Sequence, residues 1–304
     1  MIKLLFLGCN TDQAPYLKIA KSKGYFVVGT DLNLNAPGVS LCDKFYNVGY
    51  EDYAGLAELG KKEEFGPTDK IFTAGSQFAY LGASFFAEEF KISFISRKTA
   101  LLCLDKSSFY PFFENYGLNV PEWKIWNGVL PSYPAYLKSD FGKSPNYCYR
   151  INSEEKLLDL PQTHDRFYRK CFILQKEVLG THYRINFVGG KFFAFKKKTD
   201  VESMPARDFA FDSKTRDNIE RMLNDLGLSK HLVKFDIIVA DSDATVRASG
   251  KIYFLDIGLE PPMRLKIYLD RLRYDFDNLY FEHLVENKIN YPDFSILPDL
   301  VIKK

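Results

Sequence analysis

The chain opens on an apolar run at residues 2–8 that ends in Gly8. A stretch from Gln13 to Gly24 follows with apolar positions at helical spacing, and then a second apolar run, Tyr25-Phe-Val-Val-Gly-Thr-Asp31. Runs that are apolar at every position suit strands covered on both faces, so the opening reads strand, helix, strand. The pattern recurs with a helix at Asp52 to Lys62, a strand at Lys70-Ile-Phe-Thr-Ala74 and a helix at Gln77 to Phe90. Strands alternating with helices imply a parallel sheet. From about Ser96 the texture changes. One helix is predicted from Arg97 to Tyr116, broken by Gly117-Leu-Asn-Val-Pro121, with short strands near Trp123 and Tyr136. Strands with turns between them continue through Phe172–Gln175, Tyr183–Val188, Lys191–Phe195, Leu232–Val239 and Ile252–Ile257, with a helix from Ser213 to Leu226. This half is α+β and largely antiparallel, and the polar stretch Asp241 to Gly250 reads as a hairpin loop.

Composition narrows the classes. At 304 residues and 46% hydrophobic the chain can bury more than one core, which excludes disorder. Its 41 Lys and Arg against 39 Asp and Glu leave a net +2, so no overall field draws in a nucleic acid or a membrane surface. Five cysteines (Cys9, Cys42, Cys103, Cys148, Cys171) lie far apart without a CxxC pair, which fits a reducing cytoplasm and no structural zinc. No run approaches the roughly 20 apolar residues of a spanning helix. Met1 to Cys9 mimics a lipoprotein signal, but its apolar stretch, Leu4 to Leu7, is too short, and a first strand is the better reading.

Asp31, at the end of the second strand, stands where dinucleotide-binding sheets often carry an acid for the ribose. The turn Gly8-Cys-Asn-Thr-Asp-Gln13 holds one glycine where that fingerprint needs three, so NAD or FAD is not expected, and Asp31 and Asn33 read as loop caps.

The chemistry lies further along. Asp105-Lys106 sits on a helix. Tyr136-Leu-Lys138-Ser-Asp-Phe-Gly142-Lys-Ser144 is a strand that delivers a lysine and then a small-residue turn able to hold phosphate oxygens. Gln175-Lys176-Glu177-Val178 joins two strands, and Gly180-Thr-His182-Tyr-Arg184 follows. Val233-Lys234-Phe-Asp236 and Phe254-Leu-Asp256 each end an apolar strand with an acid, and a hairpin would set the two carboxylates side by side. Paired carboxylates beside lysines are what Mg²⁺ and a nucleoside triphosphate need, because hard oxygen ligands hold the metal and cations share the phosphate charge.

In this order the series resembles the ATP-grasp superfamily of carboxylate–amine ligases over almost the whole chain. The resemblance implies a small parallel, Rossmann-like α/β domain (1–97), then an ATP-grasp small lobe (98–181) and large lobe (182–304). By the same resemblance Lys106 and Lys138 would reach the α- and β-phosphates, and Gly142 to Ser144 would form the phosphate-covering loop. Gln175, Lys176, Glu177 and Val178 would form the hinge along the adenine, and His182 takes the place of the acid that usually meets the ribose. Asp236 and Asp256 would bind Mg²⁺. Lys234 and Arg264 would face the acyl-phosphate, and Arg184 is similar to a residue of ligases that add amino acids to a carboxyl terminus. One of Lys196, Lys197 and Lys198 could meet the γ-phosphate. The implied cofactors are ATP and Mg²⁺, and the implied partners are a small-molecule carboxylate and an amine. Asn10 to Gln13 and Gly75-Ser-Gln77 are candidate substrate contacts, with loop capping as the alternative. A homodimer is left open.

The sequence departs from the superfamily at three places, one of them the covering loop, which holds only Gly142 with Pro145 beside it and is stiffer than usual. The last motif usually reads Glu-x-Asn, whereas here it is Asp256-Ile-Gly258, which removes a metal ligand that Glu260 could replace. His182 offers one neutral acceptor where an acid is usual. A nucleotide-binding homologue without ligase activity, or a small-molecule kinase, would use the same residues.

Overall fold

A computed structural model describes residues 1–126, 134–142, 148–153, 155, 172–199, 202–241 and 250–303, which build three sheets. The first holds β1 (Lys3–Leu7), β2 (Phe26–Thr30), β3 (Lys44–Tyr46) and β4 (Lys70–Phe72), all parallel, in the order β3-β2-β1-β4. β1 and β2 are almost wholly apolar and buried because both faces of the sheet are covered there, whereas β3 at the edge is not. Leu5 and Leu7 pack with α2 (Tyr53–Lys62) and α3 (Gln77–Phe90), while Leu4 and Phe6 face α1 (Ala14–Ser22) and the C-terminal helices. Asp31 is a loop cap: its carboxylate accepts the N–H of Cys9 at 2.7 Å and of Asn33 at 2.8 Å.

The single helix expected from Arg97 to Tyr116 is two, α4 (Arg97–Leu102) and α5 (Lys106–Asn115). Asp105 breaks it, its carboxylate capping the Ser108 N–H at 3.2 Å and its backbone bridging to Phe141. The break brings the start of α5 to the turn after β6 (Ala135–Ser139), where the Lys106 N–H donates to the Asp140 carbonyl at 2.7 Å. β6 belongs to the second sheet, with β5 (Trp123–Ile125), β7 (Cys148–Ile151) and β8 (Phe172–Lys176) in the antiparallel order β5-β8-β6-β7.

The third sheet is antiparallel, in the order β13-β12-β9-β10-β11-β14. Its strands are β9 (Gly180–Val188), β10 (Lys191–Lys197), β11 (Glu202–Pro205), β12 (Val233–Ala240), β13 (Ile252–Gly258) and β14 (Ile302–Lys303). One face, through Ile185, Phe187, Phe235 and Ile237, packs on Phe109 and Phe113 of α5 and on Ile219 and Met222 of α6 (Ser213–Asp225). On the other face Phe193 and Phe195 meet Tyr268 of α7 (Met263–Arg271). Helix α8 (Phe276–Glu286) continues to the first sheet, with Phe281 5.2 Å from Phe72 between ring centroids. The C-terminal helices are thereby wedged between the first and third sheets, and the Tyr80 and Tyr280 hydroxyls bond across the seam at 2.5 Å. Among the described residues no helix is long and apolar enough to cross a membrane. The hairpin loop read at Asp241 to Gly250 falls on residues 242–249, outside the described ones.

Candidate active site

Strands β12 and β13 pair so that Asp236 lies opposite Asp256, and the next pair is Ile237 with Phe254, which leaves Leu255 as an extra residue. This bulge decides the face of the acid. Without it the period of two would put Phe254 and Asp256 on one side of the sheet. With it, Phe254 enters the core beside Phe113 and Phe235, while Asp256 joins Asp236 on the opposite face.

On the far side of β12, Asp236 lies opposite Arg184 of β9. The guanidinium takes both carboxylate oxygens, Nε to Oδ1 at 2.8 Å and Nη2 to Oδ2 at 2.7 Å, a fork that the planar arginine head matches in shape. Burial disfavours the cation, yet the charges of Asp236, Glu260 and Asp256 outweigh it and push the Arg184 pKa up. Two pairs further along, on the same face, Lys234 lies between Gly258 and Asn186 and is ion-paired to Glu260, two residues beyond Gly258. The acid that could stand in for the missing ligand is therefore bound to a lysine. Arg264 is buried in the first turn of α7.

The second sheet closes over this face. Lys138 of β6 is hydrogen-bonded to Oε1 of the buried Gln175 on the neighbouring β8. Nε2 of Gln175 donates to the Tyr110 hydroxyl at 2.8 Å, and that hydroxyl donates to the carbonyl of Leu255, the bulged residue, at 3.1 Å. A chain of three hydrogen bonds thus ties the lysine of one sheet to the bulge that aims the acid of the other. Burial pushes the Lys138 pKa down, against the charges of Cys148, Asp256 and Asp236. Tyr110 was not read from the sequence, since its apolar helix face marked it only as core.

Lys106 and Gly142 also meet: the Lys106 ammonium donates to the Gly142 carbonyl at 2.5 Å, and the Gly142 N–H donates to the Leu104 carbonyl at 2.8 Å. Ser144 lies outside the described residues. Gln175 and Lys176 sit inside β8, whereas Glu177 and Val178 lie in the connection to β9. Glu177 takes a fork from Arg150 at 2.7 and 2.9 Å, which holds its carboxyl below the usual range. His182 is exposed on β9. Of the three lysines at the end of β10, Lys196 pairs with Tyr183 on the face away from Arg184, which leaves Lys197 on the face shared with Asp236.

Beside Glu260 opens a cleft of about 410 Å³ that reaches the carboxyl ends of β1 and β4. Asn10, Thr11, Asp12, Gly75 and Ser76 line it from the first sheet, and Met263, Lys266 and Asp277 line it from the C-terminal helices. In the order β3-β2-β1-β4 the chain leaves β1 toward β2 while β4 lies on the other side, so the crevice is a topological switch point. Gln13, 3% exposed, fills the gap between the strand ends, and a Cβ on Gly8 or Gly75 would strike its amide at 2.1 or 2.5 Å. Lys266 and Asp277 are paired at 2.6 Å.

No family model and no curated protein matches this sequence. Solved structures do match in shape. An L-amino acid ligase from Bacillus licheniformis superposes with a TM-score of 0.66 at 16% identity, over 93% of this chain and 74% of the ligase. The N5-carboxyaminoimidazole ribonucleotide synthetase of Thermotoga maritima gives 0.70 at 15% identity, over 99% of this chain and 80% of that one. The chain has the ATP-grasp fold. A third ATP-grasp structure, the biotin carboxylase domain of Hydrogenobacter thermophilus 2-oxoglutarate carboxylase, solved with MgADP, gives 0.70 at 15% identity, over 98% of this chain and 72% of that one. At these identities the likeness is one of fold.

Proposed function

We propose that this chain is an ATP-dependent ligase that joins a small-molecule carboxylate to an amine through an acyl-phosphate. The observation that carries the reading is the register pair Asp236 and Asp256, with Lys138 of the other sheet tied to the same bulge through Gln175, Tyr110 and the Leu255 carbonyl. The donor set fits Mg²⁺: two aspartates supply hard oxygens, and a Mg²⁺ that keeps several waters does not need a third acid. Bound there, the metal would neutralise charge on the transferred phosphoryl group. Lys106, Lys138, Gly142 and Ser144 would hold the phosphates, and Gln175 to Val178 with His182 would border the base and ribose. Lys234, Arg264 and Arg184 would meet the charge that grows on the reacting carboxylate. The cleft between the first sheet and α7 is the natural acceptor site, because it ends at Glu260 beside Lys234. We assign residues 1–97 to the acceptor-side domain and 98–181 and 182–304 to the two lobes of the clamp. The thiols free among the described residues are in keeping with a reducing, cytoplasmic setting.

The likeness in fold to an L-amino acid ligase and to an N5-carboxyaminoimidazole ribonucleotide synthetase supports this reading. The test is ADP release from Mg·ATP across a panel of amino acids and other small carboxylates and amines. Lys234→Ala is expected to lower turnover by about 10²–10³ while Mg·ATP still stabilises the protein. Turnover near wild type would refute the role of Lys234. A second reading, a nucleotide binder without ligase chemistry, is favoured by the fork that already occupies Asp236. It predicts stabilisation by Mg·ATP, lost in Lys138→Ala, with no ADP released for any acceptor.

A further inference from the structure

Far apart in sequence, Cys9 and Cys42 come together with their sulfurs 3.9 Å apart, and Cys9 immediately precedes Asn10, the first of the residues that line the cleft beside Glu260. Cys9 is fully buried just after β1, whereas Cys42 is partly exposed at the end of a short 3₁₀ turn. Both lie over Gly29 in the middle of β2, where a Cβ would come 2.3 Å from the Cys42 sulfur and 3.1 Å from that of Cys9. Glycine inside a strand is otherwise unfavourable, so the strand gives up a side chain at the one place the two thiols need room.

We propose that Cys9 and Cys42 form a dithiol that a low-molecular-weight disulfide, such as oxidised glutathione, converts to an intramolecular disulfide, moving the Cys9–Gln13 turn that lines the cleft. Cys42 is the reachable sulfur. The hydrogen bond it shares with Cys9 pushes its pKa down, against burial and the charge of Asp43 and with that of Lys21, while the same bond, then burial, pushes Cys9 up. The Cys42 thiolate attacks one glutathione sulfur, forming a mixed disulfide and releasing one glutathione thiolate. Cys9 then loses its proton to solvent and attacks the Cys42 sulfur, forming the internal bond and releasing the second glutathione. Two thiols are oxidised and one glutathione disulfide is reduced. The sulfurs must approach by about 2 Å. Cys9 is anchored through its own backbone, its N–H to Asp31 at 2.7 Å and its carbonyl to the Gly38 N–H at 2.8 Å, so this shift is passed to the turn that carries Asn10 to Gln13.

The test does not depend on the ligase reading. The chain is equilibrated with oxidised glutathione, alkylated, and analysed by intact mass, peptide mapping and hydrogen exchange. The expected result is a Cys9–Cys42 cross-linked peptide, the loss of two hydrogens in mass, and altered exchange in the peptide that spans residues 8–14, all reversed by a dithiol reductant. Cys9→Ser is expected to stop at a glutathione adduct on Cys42. Retention of both free thiols, a stable mixed disulfide on wild type, or unchanged exchange at residues 8–14 after cross-linking would overturn the proposal.

Discussion

Replacing Arg184 with methionine tests the least expected feature of the site. The fork it makes with Asp236 leaves the two side chains 24% and 32% exposed, between the surface and buried limits for ion pairs. Surface pairs contribute about 0–1 kcal/mol, and breaking one side of a buried pair costs about 3–5 kcal/mol. A loss of about 1.5–2.5 kcal/mol is expected here, read as a fall in Tm of about 3–8 °C. The variant also leaves Asp236 opposite Asp256 without its cation. Directly opposed strand residues have Cβ atoms about 4.5–5.5 Å apart, and two carboxylates at about that separation and an effective dielectric of 20 repel by about 3 kcal/mol, a strain that a divalent cation relieves. Millimolar Mg²⁺ without nucleotide should therefore restore at least half of the lost stability in Arg184→Met, and affect wild type little. The assay is differential scanning in MgCl₂ against NaCl of equal ionic strength, so that general screening cancels. A variant as stable as wild type, or one that Mg²⁺ helps no more than NaCl does, would refute the argument that the Arg184 fork competes with a cation for Asp236.

Tyr110→Phe removes the middle of the chain from Lys138 to Leu255 and leaves the buried Gln175 amide without an acceptor, so urea denaturation should show a loss of about 1–3 kcal/mol. Gly142→Ala should destabilise by about 1–2 kcal/mol, since φ is +80° and a Cβ would meet the Phe78 ring at 2.8 Å; an unchanged denaturation midpoint would contradict that backbone. Glu63 is buried, and although burial raises its pKa, the bonds from Lys44 and Tyr46 outweigh that and hold it below its ordinary 4.5. Its contribution is thus present above pH 4.5 and lost as pH falls through the lower folded value. Glu63→Gln should cost stability at pH 7 and converge on wild type in acid; a gap independent of pH would exclude the ion pair as its cause.

How far the site could be read in advance depended on the range of the interaction. Asp236 and Asp256 stood out as acids in apolar runs, and their pairing followed from treating the two runs as a hairpin, but neither ends its strand: Asp236 lies inside β12 (Val233–Ala240) and Asp256 inside β13 (Ile252–Gly258), because the apolar pattern resumes beyond each acid. The bulge at Leu255 left no such mark, because strict alternation would have put Phe254 and Asp256 on one face. Arg184 lies some fifty residues before Asp236, and nothing local indicates that β9 lies beside β12 in the register that joins them. The helix break at Asp105 was hidden because apolar spacing runs on through Leu104 and Phe109, and only the contact with Phe141 gives the cap its purpose. Helices α7 and α8 went unread, although their aromatic faces fill the seam between the first and third sheets.

By itself the sequence determined the alternation of strands and helices in the first half, most antiparallel strands of the second and the polar residues they carry, because periodicity and glycine placement act over a few residues. The tertiary structure alone decided which of those residues share a face and which are already engaged. It set Arg184 on Asp236, Glu260 on Lys234 and Lys138 on Gln175, and it brought Cys9 to Cys42. Those pairings depend on strand register, a bulge and the packing of separate sheets, which are chosen by burial summed over the whole chain rather than by any neighbouring residues.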